Sequence, residues 1–215
     1  GLGDVYKRQD SFGRSGFGAA SSYFKGVKGY IMRVIAGTKR RMSLKTPEGL
    51  DTRPTQDRIK ETLFNILQFD LADKDILDLF AGSGALGIEA LSRGAKRAVF
   101  CDCQKEALSC IEENLTKCQL KDSALVLPGD FNSAINSLSG RDYHFGIVFM
   151  DPPYKKGLAV AALKRLRDKP FVSFDTLFVV ESSLDEDFSA MEEEGFKILR
   201  EKNYKTNKHV FLRFN

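Results

Sequence analysis

Histidine is scarce in this 215-residue chain, which holds only His144 and His209. The four cysteines (Cys101, Cys103, Cys110 and Cys118) crowd into one short stretch. Cys101-x-Cys103 is not a zinc-ligand spacing, and both histidines lie far along the chain, so no metal site is expected. Reduced thiols packed in a cytoplasmic core account for the cysteines. No apolar run approaches the roughly 18 residues needed to cross a bilayer. A charged-then-apolar leader with a cleavage site is also missing, so no export signal is read.

What is present fits one well-buried α/β domain with a small appendage. The apolar fraction of 42% is ordinary for a globular protein. The net charge of +4 is mild but uneven. Ten basic residues fall between Lys25 and Lys60 (Lys25, Lys28, Arg33, Lys39, Arg40, Arg41, Lys45, Arg53, Arg58 and Lys60), against Glu48, Asp51 and Asp57. A basic face beside a near-neutral body suits a polyanion. Lys25 and Lys28 read as solvated surface, whereas the clustered Lys39, Arg40, Arg41 and Arg53 lean towards nucleic acid. Residues 1–31 differ from the rest: 11–22 are rich in Gly, Ser and Ala and cannot bury enough surface to order themselves. The opening nine residues resemble translated sequencing-adapter read-through, so 1–31 read as a disordered or non-native leader. Residues 32–215 read as one domain, with 32–70 an extension and 71–215 the core.

Within the extension, 33–36 and 41–44 can pair as a hairpin around Gly37-Thr38. Thr55 can cap a helix beginning near Gln56, with Ile59, Leu63, Phe64, Ile66 and Leu67 as its apolar stripe. From Asp75 the pattern alternates. Strands are expected at 75–80, 97–101, 124–128, 145–150 and 176–181, and helices at 85–93, 104–118, 131–138 and 158–167. Such alternation gives a doubly wound parallel sheet. A helix near 185–194 follows, then strands at 196–203 and 209–214 joined by a turn at 205–208. These last two should form an antiparallel hairpin at the sheet edge, completing seven mostly parallel strands.

Two motifs carry chemistry. Asp151-Pro152-Pro153-Tyr154 follows the buried-strand run 145–150, so it sits where an α/β sheet places its ligands. Two prolines fix their φ angles and donate no backbone hydrogen bond. The product is a stiff ledge with a carboxylate at one end and a flat ring at the other, suited to a planar group bearing an exposed NH2. A tight turn after a strand is the plainer reading of Pro-Pro alone. Upstream, Gly82, Gly84 and Gly87 form G-x-G-x-x-G between the strand run 76–80 and a helix. That loop fits a dinucleotide as well as S-adenosylmethionine (SAM). Asp102, about 20 residues after Gly82, has the spacing of a ribose-holding carboxylate and separates the two no better. The ledge separates them, because a dinucleotide dehydrogenase has no standard use for it.

The glycine loop, Asp102, Gly129-Asp130 and the ledge together resemble the Rossmann-like SAM-dependent methyltransferases. Within them the chain is similar to the RsmD family, which methylates a guanine N2 of bacterial 16S ribosomal RNA. Residues 32–37 (MRVIAG) resemble that family's opening, and 52–65 (TRPTQDRIKETLFN) its signature helix entry. The resemblance covers about 32–215. It departs at Asp102, where the family more often carries Glu, and at 205–214, which matches poorly.

The resemblance implies roles. Phe80, Ala81, Gly82, Ser83, Gly84 and Gly87 would line SAM, with Asp78 at its methionine end, Asp102 on the ribose and Asp130 at the adenine amine. Asp151 and the Pro152 carbonyl would accept the two N–H bonds of the guanine amine, on a shelf completed by Pro153, with Tyr154 stacked on the base. Asp151 is too weak a base, at an ordinary pKa of about 3.9, to deprotonate the amine beforehand. Its role is to orient the lone pair. Lys39, Arg40, Arg41, Arg53 and Arg58 would grip phosphates. The implied partner is 16S ribosomal RNA in the small subunit or an assembly intermediate, met by a cytoplasmic monomer. Rival readings are an N6-adenine methyltransferase on DNA or RNA and a non-catalytic RNA-binding assembly factor. A protein glutamine methyltransferase fits less well, because that group favours Asn where Asp151 stands.

Overall fold

In the computed structural model, residues 32–47, 54–154 and 156–215 are described. The expected leader at 1–31 and the candidate Arg53 lie outside them. Five parallel strands form the sheet's core: β1 (Asp75–Asp78), β2 (Arg97–Asp102), β3 (Ala124–Pro128), β4 (Phe145–Met150) and β5 (Leu177–Ser183). Two antiparallel strands, β6 (Phe196–Asn203) and β7 (Asn207–Phe214), complete it. The order β3-β2-β1-β4-β5-β7-β6 reverses direction between β1 and β4. That reversal opens a crevice at the carboxyl ends of the strands, where ligands of such sheets bind.

Both sheet faces are covered, so the middle residues of the central strands are buried on both sides rather than alternating. Successive residues of β1 serve different cores: Ile76 packs with one buried cluster and Leu77 with the other. On the first face lie α1 (Pro54–Ile66), α2 (Ala85–Ser92) and α3 (Lys105–Cys118); on the second, α4 (Phe131–Leu138) and α5 (Leu158–Leu166). In α3 the buried Ala107, Cys110, Ile111, Asn114, Leu115 and Cys118 recur at helical spacing and make one apolar stripe. Phe178, Phe196 and Phe214 pack as a trio, with centroids 4.9 to 5.5 Å apart, and fasten β6 and β7 to the sheet.

Residues 32–47 form the expected reversal, closed by Val34 N to Met42 O (2.9 Å) and Leu44 N to Met32 O (2.7 Å). Val34 and Leu44 share the buried cluster of Leu63, Phe64, Leu67 and Ile76, so the extension and the sheet have a common core. Glu89 of α2, fully buried, is the joint. It accepts from Ile35 N (2.7 Å), Ala36 N (3.0 Å) and Arg93 Nε (2.8 Å), and it pairs with Lys60 (3.4 Å). Asn114 is a second joint: it bonds both backbone groups of Lys45 and donates to Ser83 O in the glycine loop.

Several expectations are corrected. The helix expected at 185–194 is a single 3-10 turn, Ser189–Met191, because Asp187 bonds Ser189 N and Oγ locally. The first helix starts at Pro54, so Thr55 lies inside its first turn rather than capping it. β7 begins at Asn207, two residues early, after a turn closed by Tyr204 N to Asn207 O (2.8 Å). The last two strands do form the expected antiparallel hairpin at the sheet edge, with β7 beside β5 and β6 outermost. Lys60 is not on the basic surface: it is buried, with Nζ donating to Arg33 O at 2.6 Å. No helix among the described residues is long and apolar enough to cross a membrane. Nor do the described residues hold a group of three or more His, Cys, Asp or Glu able to bind a metal.

Candidate active site

The site is assembled at the carboxyl ends of β1, β2, β4 and β5. The segment leaving β1 is held from both sides, by Leu79 N to Phe149 O (3.0 Å) and Ala81 N to Cys101 O (2.9 Å). Gly84 N then donates to Ala81 O at 2.6 Å, turning the chain into α2. Gly87 must be glycine, since a Cβ there would stand 2.3 Å from Cε1 of the buried Phe100 ring. At Gly82, φ is +53° and a Cβ would meet nothing within 4 Å, so the space above the loop is open to a ligand.

Asp102 binds this loop directly. Its Oδ2 accepts from Gly82 N (2.8 Å) and its Oδ1 from Gln104 N (2.9 Å). A carboxylate has about four acceptor positions, so two remain for ribose hydroxyls. Asp78 is buried beneath the loop, with Oδ2 accepting from Gly87 N at 3.0 Å. Burial pushes its carboxyl up to about 7; the Gly87 amide opposes this and the charge of Asp102 adds to it. A cation beside Asp78 would relieve that burial cost. Asp130 caps α4, with Oδ1 accepting from Ser133 N at 2.8 Å, a bond that holds its carboxyl below the usual range. One Asp130 oxygen is thus committed to the helix. Beside it, the half-buried Phe131 meets Phe80 at 5.9 Å and makes an apolar wall next to the loop. Open backbone, free carboxylate positions and an aromatic wall fit an adenosyl group carrying a cationic tail.

The ledge leaves β4 directly after Met150, which pairs with Val180 of β5. Pro152 is buried, while Asp151, Pro153 and Tyr154 are exposed. Tyr154 leaves 42% of its surface open, yet its Oη donates to Glu181 Oε1 at 2.8 Å. The ring is therefore anchored at one end, with much of its surface free. Water reaches Asp151, but protein crowds around it. That desolvation, with the charges of Glu181 and Asp78, raises its carboxyl well above the ordinary range. Solvent contact tempers the shift without reversing it.

Glu181 was not legible as a site residue. Besides Tyr154, it accepts from Asn207 Nδ2 (2.6 Å) on Oε1 and meets His209 Nε2 at 3.2 Å on Oε2. The far nitrogen of His209 meets Tyr204 Oη at 3.1 Å. Burial opposes ionisation of Glu181, but these donors, His209 foremost, outweigh it and hold the carboxyl below its usual range. In sequence the only hint was a Glu inside an apolar strand run.

The basic candidates divide. Arg58 is exposed on the second turn of α1. Lys39, Arg40 and Arg41 occupy the hairpin turn, which docks on the far end of α2 through Thr38 N to Ser92 O (2.8 Å) and Lys39 N to Ser92 Oγ (2.9 Å). An eight-residue helix is about 12 Å long, so this turn lies towards the amino ends of the strands, at the opposite end of α2 from the glycine loop, and stands away from a base on the ledge.

A family described as "Conserved hypothetical protein 95" matches residues 32–213, which takes in all of β7 but its last residue. Ribosomal RNA small subunit methyltransferase D of Haemophilus influenzae is 35% identical over 180 residues, 82% of this chain and 90% of the relative. Its Escherichia coli K12 namesake is 35% identical over 154 residues, 72% of this chain and 76% of the relative. The chain belongs to the RsmD family. Among solved structures, yhhF of Escherichia coli superposes with a TM-score of 0.72 at 32% identity, covering 86% of this chain and 99% of that one. HI0767 of Haemophilus influenzae gives 0.69 at 30% identity and the same coverage. The RsmD fold is thus the mixed seven-stranded, Rossmann-like sheet described above.

Proposed function

We propose that this RsmD-family protein is a SAM-dependent methyltransferase acting on the exocyclic N2 amine of a guanine in small-subunit ribosomal RNA. One observation carries the reading: an acidic, proline-stiffened ledge stands beside a glycine loop that is tied to a free-faced carboxylate. The relatives' names support the ribosomal RNA substrate.

Bound SAM supplies an electrophilic methyl group. The chain's own residues hold the two partners. Asp102 offers two acceptor positions to ribose hydroxyls, and Asp78 offers a buried negative charge to an ammonium group. Phe80 and Phe131 would offer the adenine an apolar wall, and the second oxygen of Asp130 would be available to its amine. Asp151 and the Pro152 carbonyl accept the two N–H groups of the guanine amine. Accepting both turns the nitrogen lone pair out of conjugation and towards the methyl donor, and such positioning supplies much of a transfer rate. After transfer the amine sheds one proton to Asp151 or to water. The raised carboxyl of Asp151 suits it to take that proton late in the reaction. Tyr154, steadied by Glu181, stacks on a base that has left its helix or was never paired. Arg58 holds phosphates from α1, and Lys39, Arg40 and Arg41 hold them from the hairpin turn. The protein acts as a cytoplasmic monomer on the small subunit or its assembly intermediate.

Tritiated methyl transfer to bare ribosomal RNA, assembled small subunits and DNA, followed by nucleoside digestion, tests this. N2-methylguanosine from small-subunit RNA is expected. Label in N6-methyladenosine would replace the proposal with an adenine enzyme, and no label on any substrate would leave a binding factor.

A further inference from the structure

The ledge has a second carboxylate beside Asp151. Met150 pairs with Val180, so the next residues along the two parallel strands, Asp151 and Glu181, are neighbours. Glu181 faces the ledge, because its Oε1 accepts from Tyr154 Oη at 2.8 Å. Asn207 fills the remaining position on Oε1. Oε2 has His209 Nε2 at 3.2 Å and keeps a lone pair. The side chain is 23% exposed, so that lone pair can meet a ligand. Fixed by Tyr154 from the ledge and by Asn207 and His209 from β7, this carboxylate cannot swing away.

Three standard bases carry an exocyclic amine. In adenine and cytosine the ring nitrogen beside the amine is an acceptor; guanine alone sets a donor, N1–H, on one side of its amine, with the acceptor N3 on the other. A fixed, ionised carboxylate beside the amine site welcomes N1–H and repels a ring lone pair. Resting on the methyltransferase reading above, we infer that Glu181 is the residue that selects guanine, its Oε2 accepting N1–H while Asp151 holds the amine. Asn207, His209 and, through His209, Tyr204 are positioning residues that keep Glu181 aimed. This gives the C-terminal hairpin a role in substrate choice.

The test uses small-subunit RNA carrying guanine or 2-aminopurine at the methylated position. 2-Aminopurine keeps the amine but has a bare ring nitrogen at position 1. Wild-type protein should use guanine about 10- to 100-fold better, the range for losing a hydrogen bond to a charged group. In Glu181→Gln the amide can donate to the bare nitrogen and His209 can switch tautomer to accept, so that preference should shrink at least tenfold. Comparing the ratio cancels any difference in intrinsic amine reactivity. Equal use of the two RNAs by wild type overturns the inference whatever the variant does, and so does an unchanged preference in a folded Glu181→Gln. Both results leave the methyltransferase reading standing. No transfer by wild type to guanine-bearing RNA overturns that reading and this inference with it.

Discussion

Two aspartates under one ligand do different work, and their surroundings say which. Asp151 faces water and is free to accept from an amine, whereas Asp78 is sealed beneath the glycine loop. Asp151→Ala should therefore leave SAM affinity within about twofold by calorimetry while methyl transfer falls about 100-fold or more, the scale of lost orientation. Unimpaired turnover in that variant would remove Asp151 from the chemistry. Asp78 predicts a pH effect on stability. Its carboxyl, raised to about 7, keeps a proton that the unfolded chain sheds near pH 4. Its stabilising contribution is complete below pH 4 and is lost as pH rises through 7. Between pH 5 and 8 the unliganded protein should lose on the order of 3 kcal/mol relative to Asp78→Asn in urea titrations. A pH-independent difference would show that Asp78 is ionised throughout. Both aspartates stood out in the sequence, Asp151 because it directly follows a strand run and Asp78 because it opens the glycine motif. Glu181 was not, since its partners Asn207 and His209 lie 26 and 28 residues away and only the β5–β7 register brings them together.

Elements were legible wherever the apolar rhythm was clean. Helices α4 and α5 and strands β3, β4 and β6 fall at or within a residue of their expected bounds. The failure at 185–194 has a local cause, in that Asp187 accepts from the backbone and hydroxyl of Ser189 and limits the segment to a short turn. The insertion of β7 could not be read, because either strand of a hairpin can pair with the sheet and only packing of Phe178 against Phe196 and Phe214 decides. Tertiary packing likewise explains Lys60, whose basic character in the sequence concealed a buried partner, Glu89. That joint makes its own prediction. Glu89→Ala would strand Lys60 and leave the Ile35 and Ala36 amides without an acceptor. A loss of about 3 to 5 kcal/mol is expected, as for a broken buried ion pair, and hydrogen exchange at Ile35 and Ala36 should accelerate with it. If both amides stay protected, the hairpin is held without Glu89, by Val34 and Leu44 in the core and by its bonds to Ser92 and Asn114. Gly87→Ala tests the loop, where the new methyl group must displace Phe100. It should cost about 1 to 3 kcal/mol by denaturant titration and weaken SAM binding as the bond from Gly87 to Asp78 shifts.

At the scale of the whole molecule, the basic turn and the proposed site stand at opposite ends of the central strands. Arg33 is paired with Asp57 and Lys45 with Glu113, so much of the sequence's basic N-terminal cluster is neutralised within the fold. Arg40 and Arg41 are exposed on the turn that docks at the far end of α2. An RNA touching both the ledge and that turn must run along the hairpin for at least the 12 Å or so of the helix between them. Under the proposed function such separation would divide labour: the ledge would read one base, and the distant turn would add affinity without sequence choice. Replacing Arg40 and Arg41 together by Ala should weaken RNA binding at low salt. It should also reduce the slope of log affinity against log salt by up to about 1.5, since each phosphate left without its arginine lowers that slope by roughly 0.7 to 0.9. Because neither arginine reaches the reacting base, turnover at saturating RNA should stay within about twofold of wild type. An unchanged slope would mean that phosphates pass elsewhere, with Arg58 on α1 the next residue to test. A collapse of saturated turnover with the slope intact would mean that the hairpin shapes the active site through Glu89 instead of gripping RNA.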